Sequence, residues 1–360
     1  MTESFRNDDS VLRARVEQVA QARRALGLEG LVGGLETVIV AVEPDRLKDA
    51  AADFLNTTGY SFGASLDFAD GAGCVLHCPG SSDFLFRTRS GGGWAFAQEP
   101  LGPKSAHLPG TRVETMVFAC ADVARFVEIQ KRRGVRFMTT EPIRTDASLF
   151  IQTAPSRYSA LSYGFVQWLG GGKRYLSNAA RPGGWTLPKP TAAHLRNIGV
   201  FDHASVRVRA KDRDDAIVEF LELTNYEFSM AVYVDNLNSI TNVARLAGEP
   251  YAMVITSGLG DAAAGQEGPT EKFIANYGRR IHHLAFRTVN IEETFAGLKA
   301  QGMEFLLELV GSQEEGLKQT FSRPSAQTLI VNEYIHRYEG FDGFFTKSNV
   351  TLLTEATARQ

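Results

Sequence analysis

The sequence predicts an α+β protein assembled from two copies of one unit, each a set of short strands with interleaved helices. Three observations predict this. The order of elements read before a glycine- and proline-rich passage returns after it, matching residue patterns recur at matching intervals, and 360 residues exceed one compact core but suit a repeated architecture.

In chain order, Ser10 to Leu26 carries Val11, Leu12, Val16, Val19, Ala20 and Leu26 among polar residues, the pattern of an amphipathic helix with Ser10 as its candidate N-cap. Gly27, Gly30, Gly33 and Gly34 break it. A strand follows at Leu35 to Val42, and Pro44 to Phe54 reads as a helix ending near Thr58-Gly59. Short strands around Ser61 to Phe68, Gly73 to Cys78 and Phe84 to Thr88 are separated by glycine, serine and aspartate turns. A second strand–helix unit spans Val113 to Cys120 and Val123 to Arg133, with Gly134 where a capping glycine belongs, and a strand near Leu161 to Leu169 closes the half. Gly170-Gly171-Gly172, Arg181-Pro182-Gly183-Gly184 and Pro188-Lys-Pro190 then read as a linker.

Composition bounds the function. With 44% hydrophobic and 22% charged residues and a net charge of -3, the chain reads as an ordinary globular protein with no basic stripe for a phosphate backbone, so nucleic acid is not expected as a partner. Cys74, Cys78 and Cys120 are odd in number and lack metal-ligand spacing, which predicts reduced thiols in a cytoplasmic setting. No apolar run approaches a membrane span, and no membrane partner is expected.

The repeat singles out three positions. Gly34-Leu-Glu-Thr37-Val-Ile-Val-Ala-Val42 overlays Val200-Phe-Asp-His203-Ala-Ser-Val-Arg-Val208, setting Thr37 opposite His203. Val113-Glu-Thr115-Met-Val-Phe118 overlays Ile281-His-His283-Leu-Ala-Phe286, and Gly164 to Gly171 overlays Glu333 to Gly340. Thr37 and Thr115 stand 78 residues apart against 80 for His203 and His283, while Thr115 and Gly164 stand 49 apart against 50 for His283 and Glu333. Strict strand alternation puts His283 on the face of Ile281 and Ala285, with His282 pointing away.

Two imidazoles and one carboxylate, each from a strand of one sheet, suit a facial triad that leaves adjacent positions of a divalent metal open, as in non-haem Fe(II) oxygenases. A buried strand glutamate needs a cation. A metal held by His203, His283 and Glu333 supplies one, and Arg337 on the same face is the competing counter-ion.

These residues resemble the 4-hydroxyphenylpyruvate dioxygenase family of the vicinal oxygen chelate superfamily, over roughly residues 34 to 357. Phe201-Asp-His203, His282-His283-Leu-Ala and Glu333-Tyr-Ile-His-Arg337 are similar to its three ligand motifs, and Gly316-Leu-Lys-Gln319-Thr-Phe-Ser-Arg-Pro324 to the stretch before the third. The resemblance implies two domains, each of paired βαβββ modules forming a curved, half-open mixed barrel with helices outside. Residues 1–33 would be a helical extension, 34–170 a domain without metal, 171–196 the linker, and 197–360 the catalytic domain with a C-terminal lid helix from about Lys347 to Ala358. It further implies an Fe(II) cofactor, O2 as co-substrate, and a small 2-oxo acid that is oxidatively decarboxylated and hydroxylated within one molecule. Gln319, Ser239, Phe345 and Asn349 correspond to substrate-pocket positions, and Gln319 and His336 are the candidate catalytic groups besides the metal ligands.

The pocket departs from the family at Met253 to Gly258, at Gly268-Pro-Thr-Glu, at His336 and at Ser348-Asn349-Val350, which points to a 2-oxo acid other than 4-hydroxyphenylpyruvate. Two alternatives stay open: an extradiol-type ring-cleaving dioxygenase using His336 or Tyr334 as acid–base group, and a non-catalytic binding protein on the same scaffold. A homo-oligomer is compatible with either.

Overall fold

A computed structural model describes residues 5–89, 94–260, 267–358 and 360. The first half contains α1 (Asp9–Ala25), β1 (Val32–Ala41), α2 (Leu47–Thr57), β2 (Ser61–Phe68), β3 (Gly71–His77), β4 (Asp83–Arg87), β5 (Arg112–Cys120), α3 (Val123–Arg132), β6 (Ile143–Arg144), β7 (Ser148–Gln152) and β8 (Ser162–Trp168). After β9 (Arg181–Pro182) come β10 (Ile198–Arg207), α4 (Arg213–Leu223), β11 (Glu227–Val234), β12 (Ser239–Arg245), β13 (Ala252–Ser257) and α5 (Pro269–Tyr277). The chain closes with β14 (Ile281–Thr288), α6 (Ile291–Ala300), β15 (Val310–Ser312), β16 (Leu317–Phe321), β17 (Val331–Arg337) and α7 (Lys347–Thr357).

Two curled mixed sheets result, in the strand orders β6-β7-β8-β5-β1-β4-β3-β2-β9 and β11-β12-β13-β10-β14-β17-β16-β15. Each joins two βαβββ modules through an antiparallel central pair, β1 with β5 and β10 with β14, flanked by parallel pairs. The fold is therefore α+β with paired modules, as the repeat predicts. The register repeats as well: Thr37 pairs Val117 as His203 pairs Ala285, and Val117 pairs Gly164 as Ala285 pairs Glu333.

Alternation divides β10 into two faces. Ala204 and Val206 join a core that the two sheets share, where Phe84 meets Phe201 at 5.2 Å and Phe54 meets Phe286 at 5.8 Å between ring centroids. His203, Ser205 and Arg207 face the hollow of their own sheet. In the first half the equivalent hollow is filled. Ile39, Leu66, Val75, Leu85, Val117, Val166 and Ala180 form a dry cluster there, with Phe150, Trp168 and Tyr175 against it. The stretch read as a linker thus fills the hollow through Tyr175 and Ala180, and adds β9 to the edge of β2.

Some expectations shift. Asp8, not Ser10, caps α1, its carboxylate accepting the Ser10 N–H. The strands β6 and β7 were not expected: β6 is two residues long, and the apolar run of β7, Leu149 to Ile151, is too short to mark a strand. Gly134 does sit in the left-handed region, at φ +85°, closing α3. The three cysteines are free and buried, and burial pushes the Cys74 and Cys120 thiols up to about 12. Among the described residues no helix is long and apolar enough to cross a membrane.

Candidate metal centre

His203 on β10, His283 on β14 and Glu333 on β17 bring one ligand atom each within 4.8 Å of the others. They are 0%, 7% and 1% exposed. Glu333 Oε2 lies 3.0 Å from His203 Nε2 and 3.2 Å from His283 Nε2, the second contact lacking hydrogen-bond geometry. Glu333 Oε1 is buried with no partner. A carboxylate and two imidazole nitrogens converging in a dry site, with lone pairs unused, fit a divalent ion of the iron or zinc group.

The competing counter-ion is engaged elsewhere. Arg337 donates two hydrogen bonds to Asp202, at 2.7 and 3.0 Å, and Arg287 donates a third at 2.8 Å. Asp202 also accepts from His203 Nδ1 at 2.8 Å. Burial would raise the Asp202 carboxyl, yet these bonds hold it well below the usual carboxylate range. Asp202 thereby fixes the Nδ1–H tautomer of His203 and leaves Nε2 free to ligate.

His283 reaches the same state by a different route. The pairing Ser205 with His283 followed by Val206 with Ile281 leaves His282 as the extra residue of a β-bulge. A bulge interrupts alternation, so the two histidines are not on opposite faces: their Nδ1 atoms lie 2.8 Å apart, correcting the expectation that His282 points away. With Nδ1–H of His283 donating to His282, and His282 Nε2 bonded to Gln360 Oε1 at 2.8 Å, His283 Nε2 is left as a free acceptor. Glu114 holds the same bulge position in the first half.

Charge is distributed unevenly over the triad. Burial works against the His203 imidazolium, but Glu333 and Asp202 on either side push it up to about 9. Burial, with His282 and His203 nearby, drives His283 well below its ordinary value.

His283 and Glu333 open onto a small cavity of about 40 Å³, room for little more than a water or two. Gln319 of β16 lines it, fully buried, with both amide atoms unpartnered. Phe345 also lines it, 5.2 Å from the His203 ring, while Phe344 lies 5.5 Å from that ring beneath Arg337. Val350, Leu353 and Thr354 of α7 form the roof. Asn349 is buried beside the cavity, and its Nδ2 donates to Leu317 O at 3.4 Å, pinning α7 to β16. Ser239 is buried at the start of β12 with its hydroxyl unpartnered, outside the cavity wall.

His336 is not brought to the triad. It follows Glu333 by three residues on a regular strand, so it projects from the reverse face, where Nδ1 bonds Thr288 O at 2.7 Å and the ring meets Tyr338. Tyr334 also lies on that reverse face, its hydroxyl donating to Thr57 O. Two groups went unread in the sequence: His282, hidden by the bulge, and Arg207, which shares the face of His203 two pleats along β10 and lines the same cavity.

Two sheets of paired βαβββ modules, one hollow filled and the other lined by two histidines and a glutamate, constitute the vicinal oxygen chelate fold in its two-domain form. Solved structures of the 4-hydroxyphenylpyruvate dioxygenase family share it. A triple mutant of 4-hydroxymandelate synthase from Streptomyces coelicolor aligns with TM-score 0.69 and 16% identity over 91% of this chain and 98% of its own. A xylose isomerase-like TIM barrel/4-hydroxyphenylpyruvate dioxygenase fusion protein aligns with TM-score 0.60 and 12% identity over 97% of this chain and 58% of its own. No protein-family model and no curated protein matches the sequence.

Proposed function

We propose that the chain is an Fe(II)-dependent dioxygenase that oxidatively decarboxylates a 2-oxo acid with O2 and hydroxylates the same molecule. The observation that carries this is the convergence of His203, His283 and Glu333 in a buried hollow where the Gln319 amide and Glu333 Oε1 are left unpartnered. The fold shared with 4-hydroxymandelate synthase and a 4-hydroxyphenylpyruvate dioxygenase fusion supports the reaction class. When bound, iron supplies adjacent open positions for a bidentate oxo acid and for O2.

The chain's own residues do the rest. Asp202 and His282 hold the ligating tautomers. Gln319 offers a donor and an acceptor to the oxygen atoms of the substrate. Phe345 and Phe321 exclude water, which strengthens every polar contact inside. A cavity this small admits an oxo acid only if α7 and Phe345 swing away, so admission and closure accompany each turnover. Neither His336 nor Tyr334, the acid–base candidates for ring cleavage, lies beside the triad, since both face the other way, and this favours decarboxylation. A cytoplasmic setting and a small-molecule partner belong to the same proposal.

Oxygen uptake measured together with carbon dioxide release across a panel of 2-oxo acids tests the reaction. Stoichiometric release supports decarboxylation, whereas uptake without carbon dioxide contradicts it.

A further inference from the structure

Arg207 is 3% exposed and forms part of the wall of the triad's cavity. Its guanidinium donates only to hydroxyls, to Thr270 Oγ1 at 2.7 Å and to Thr357 Oγ1 at 3.4 Å, and its Nε has no partner. Among the described residues it makes no ion pair. Glu271 acts on it only at longer range. A buried cation with no carboxylate in ion-pair reach is costly to keep, and the cavity beside it offers an incoming anion a desolvated charge to pair with. Arg213, Arg89 and Arg337 are ion-paired with Asp9, Glu114 and Asp202, and the buried Arg23, Arg112 and Arg280 donate to backbone carbonyls; of these arginines and Arg207, it is Arg207 that lines the triad's cavity. The first-half counterpart of Arg207 is Ala41, in the hollow that carries no triad.

The approach from the triad to Arg207 is polar. Ser205 lies between His203 and Arg207 on β10, its hydroxyl 3.2 Å from Thr256 Oγ1, and Thr241 and Thr354 also line the cavity. Four residues along a strand separate the Cα atoms of His203 and Arg207 by about 13 Å, and the small, hydroxyl-lined cavity beside them suits a short polar chain better than an aromatic ring.

We infer that the substrate is a short 2-oxo dicarboxylate, bound with its oxo-acid end at the triad and its second carboxylate on the Arg207 guanidinium. The inference rests on the metal reading above but concerns the opposite end of the substrate. Planar two-point hydrogen bonding from a desolvated guanidinium is the strongest carboxylate recognition a side chain offers, and the hydroxyls now bonded to Arg207 hold the fork in orientation.

The test compares 2-oxoglutarate, 2-oxopentanoate and phenylpyruvate on protein loaded anaerobically with Fe(II), reading affinity by calorimetry and chelation by the visible charge-transfer band. Wild type is expected to bind 2-oxoglutarate about tenfold or more tighter than 2-oxopentanoate, the scale of a hydrogen-bonded charge pair. Arg207→Gln is expected to abolish the difference, and Arg207→Lys to keep part of it. Equal wild-type affinity for the two five-carbon acids, tighter binding of phenylpyruvate, or an Arg207→Gln protein that still discriminates overturns the inference. The wild-type comparison stands even if a variant fails to fold. If the dicarboxylate preference depends on Arg207 but no acid yields a charge-transfer band, the anion site is supported and the metal reading alone fails.

Discussion

At the residue scale, the site is a set of buried polar groups whose lone pairs are assigned by their neighbours. Asp202 accepts from three residues at once, His203, Arg337 and Arg287. Asp202→Asn should weaken metal uptake by roughly 10- to 100-fold, since the tautomer of His203 is no longer fixed. It should also destabilise the fold by about 1.5–3 kcal/mol, because the charge-assisted hydrogen bonds from Arg337 and Arg287 are weakened. Metal titration and chemical denaturation read the two effects separately, and a variant with unchanged metal affinity contradicts the assignment. His282→Ala should lower metal affinity on a similar scale while leaving stoichiometry intact; wild-type affinity in that variant would make His282 a packing residue only. The three ligands were legible in the sequence because the repeat marked them. His282 was not, because alternation presumes a regular strand and the bulge breaks it. Arg207 was within reach, as an arginine on the His203 face of β10, but nothing in the repeat drew attention to it.

At the element scale, the repeated strands and helices were readable from periodicity, and the ends of β2 agree with the structure residue for residue, as does the start of α7, which the family resemblance implied. What periodicity could not give was closure. Helix α7 lies down on the triad with Val350, Leu353 and Thr354 inward, and one long hydrogen bond from Asn349 to Leu317 helps hold it. Asn349→Ala should therefore raise amide exchange in α7 while leaving β10 and β14 protected, and hydrogen-exchange mass spectrometry measures it. Uniform loosening of both sheets would instead make Asn349 part of the global core.

At the scale of the whole molecule, the two halves share one scaffold but only one hollow is available for chemistry. Rebuilding the triad in the first half by Thr37→His, Thr115→His and Gly164→Glu should yield no second metal site. A Cβ on residue 164 would lie 2.9 Å from Val117 Cγ2 and 3.0 Å from Phe150 Cε2, and Tyr175 already hydrogen-bonds Thr37. The variant should be destabilised, and metal stoichiometry should remain that of wild type; a second equivalent of bound metal would contradict the filled-hollow account. The contact between the halves carries its own pH signature. Burial raises the Glu219 carboxyl of α4 to about 7 while it accepts from Ser156 of the other half. A carboxyl with a raised folded-state value contributes stability that is fully present below its ordinary range and is lost as pH rises through about 7. Thermal unfolding should show Glu219→Gln gaining on wild type above pH 7 and not near pH 4, and equal profiles would remove Glu219 from the balance.

The central claim is that His203, His283 and Glu333 hold one catalytic iron, and anaerobic Fe(II) titration of wild type beside His283→Ala tests it most directly. The account predicts one equivalent bound tightly by wild type and little or none by the folded variant; equal uptake by the two proteins would contradict it.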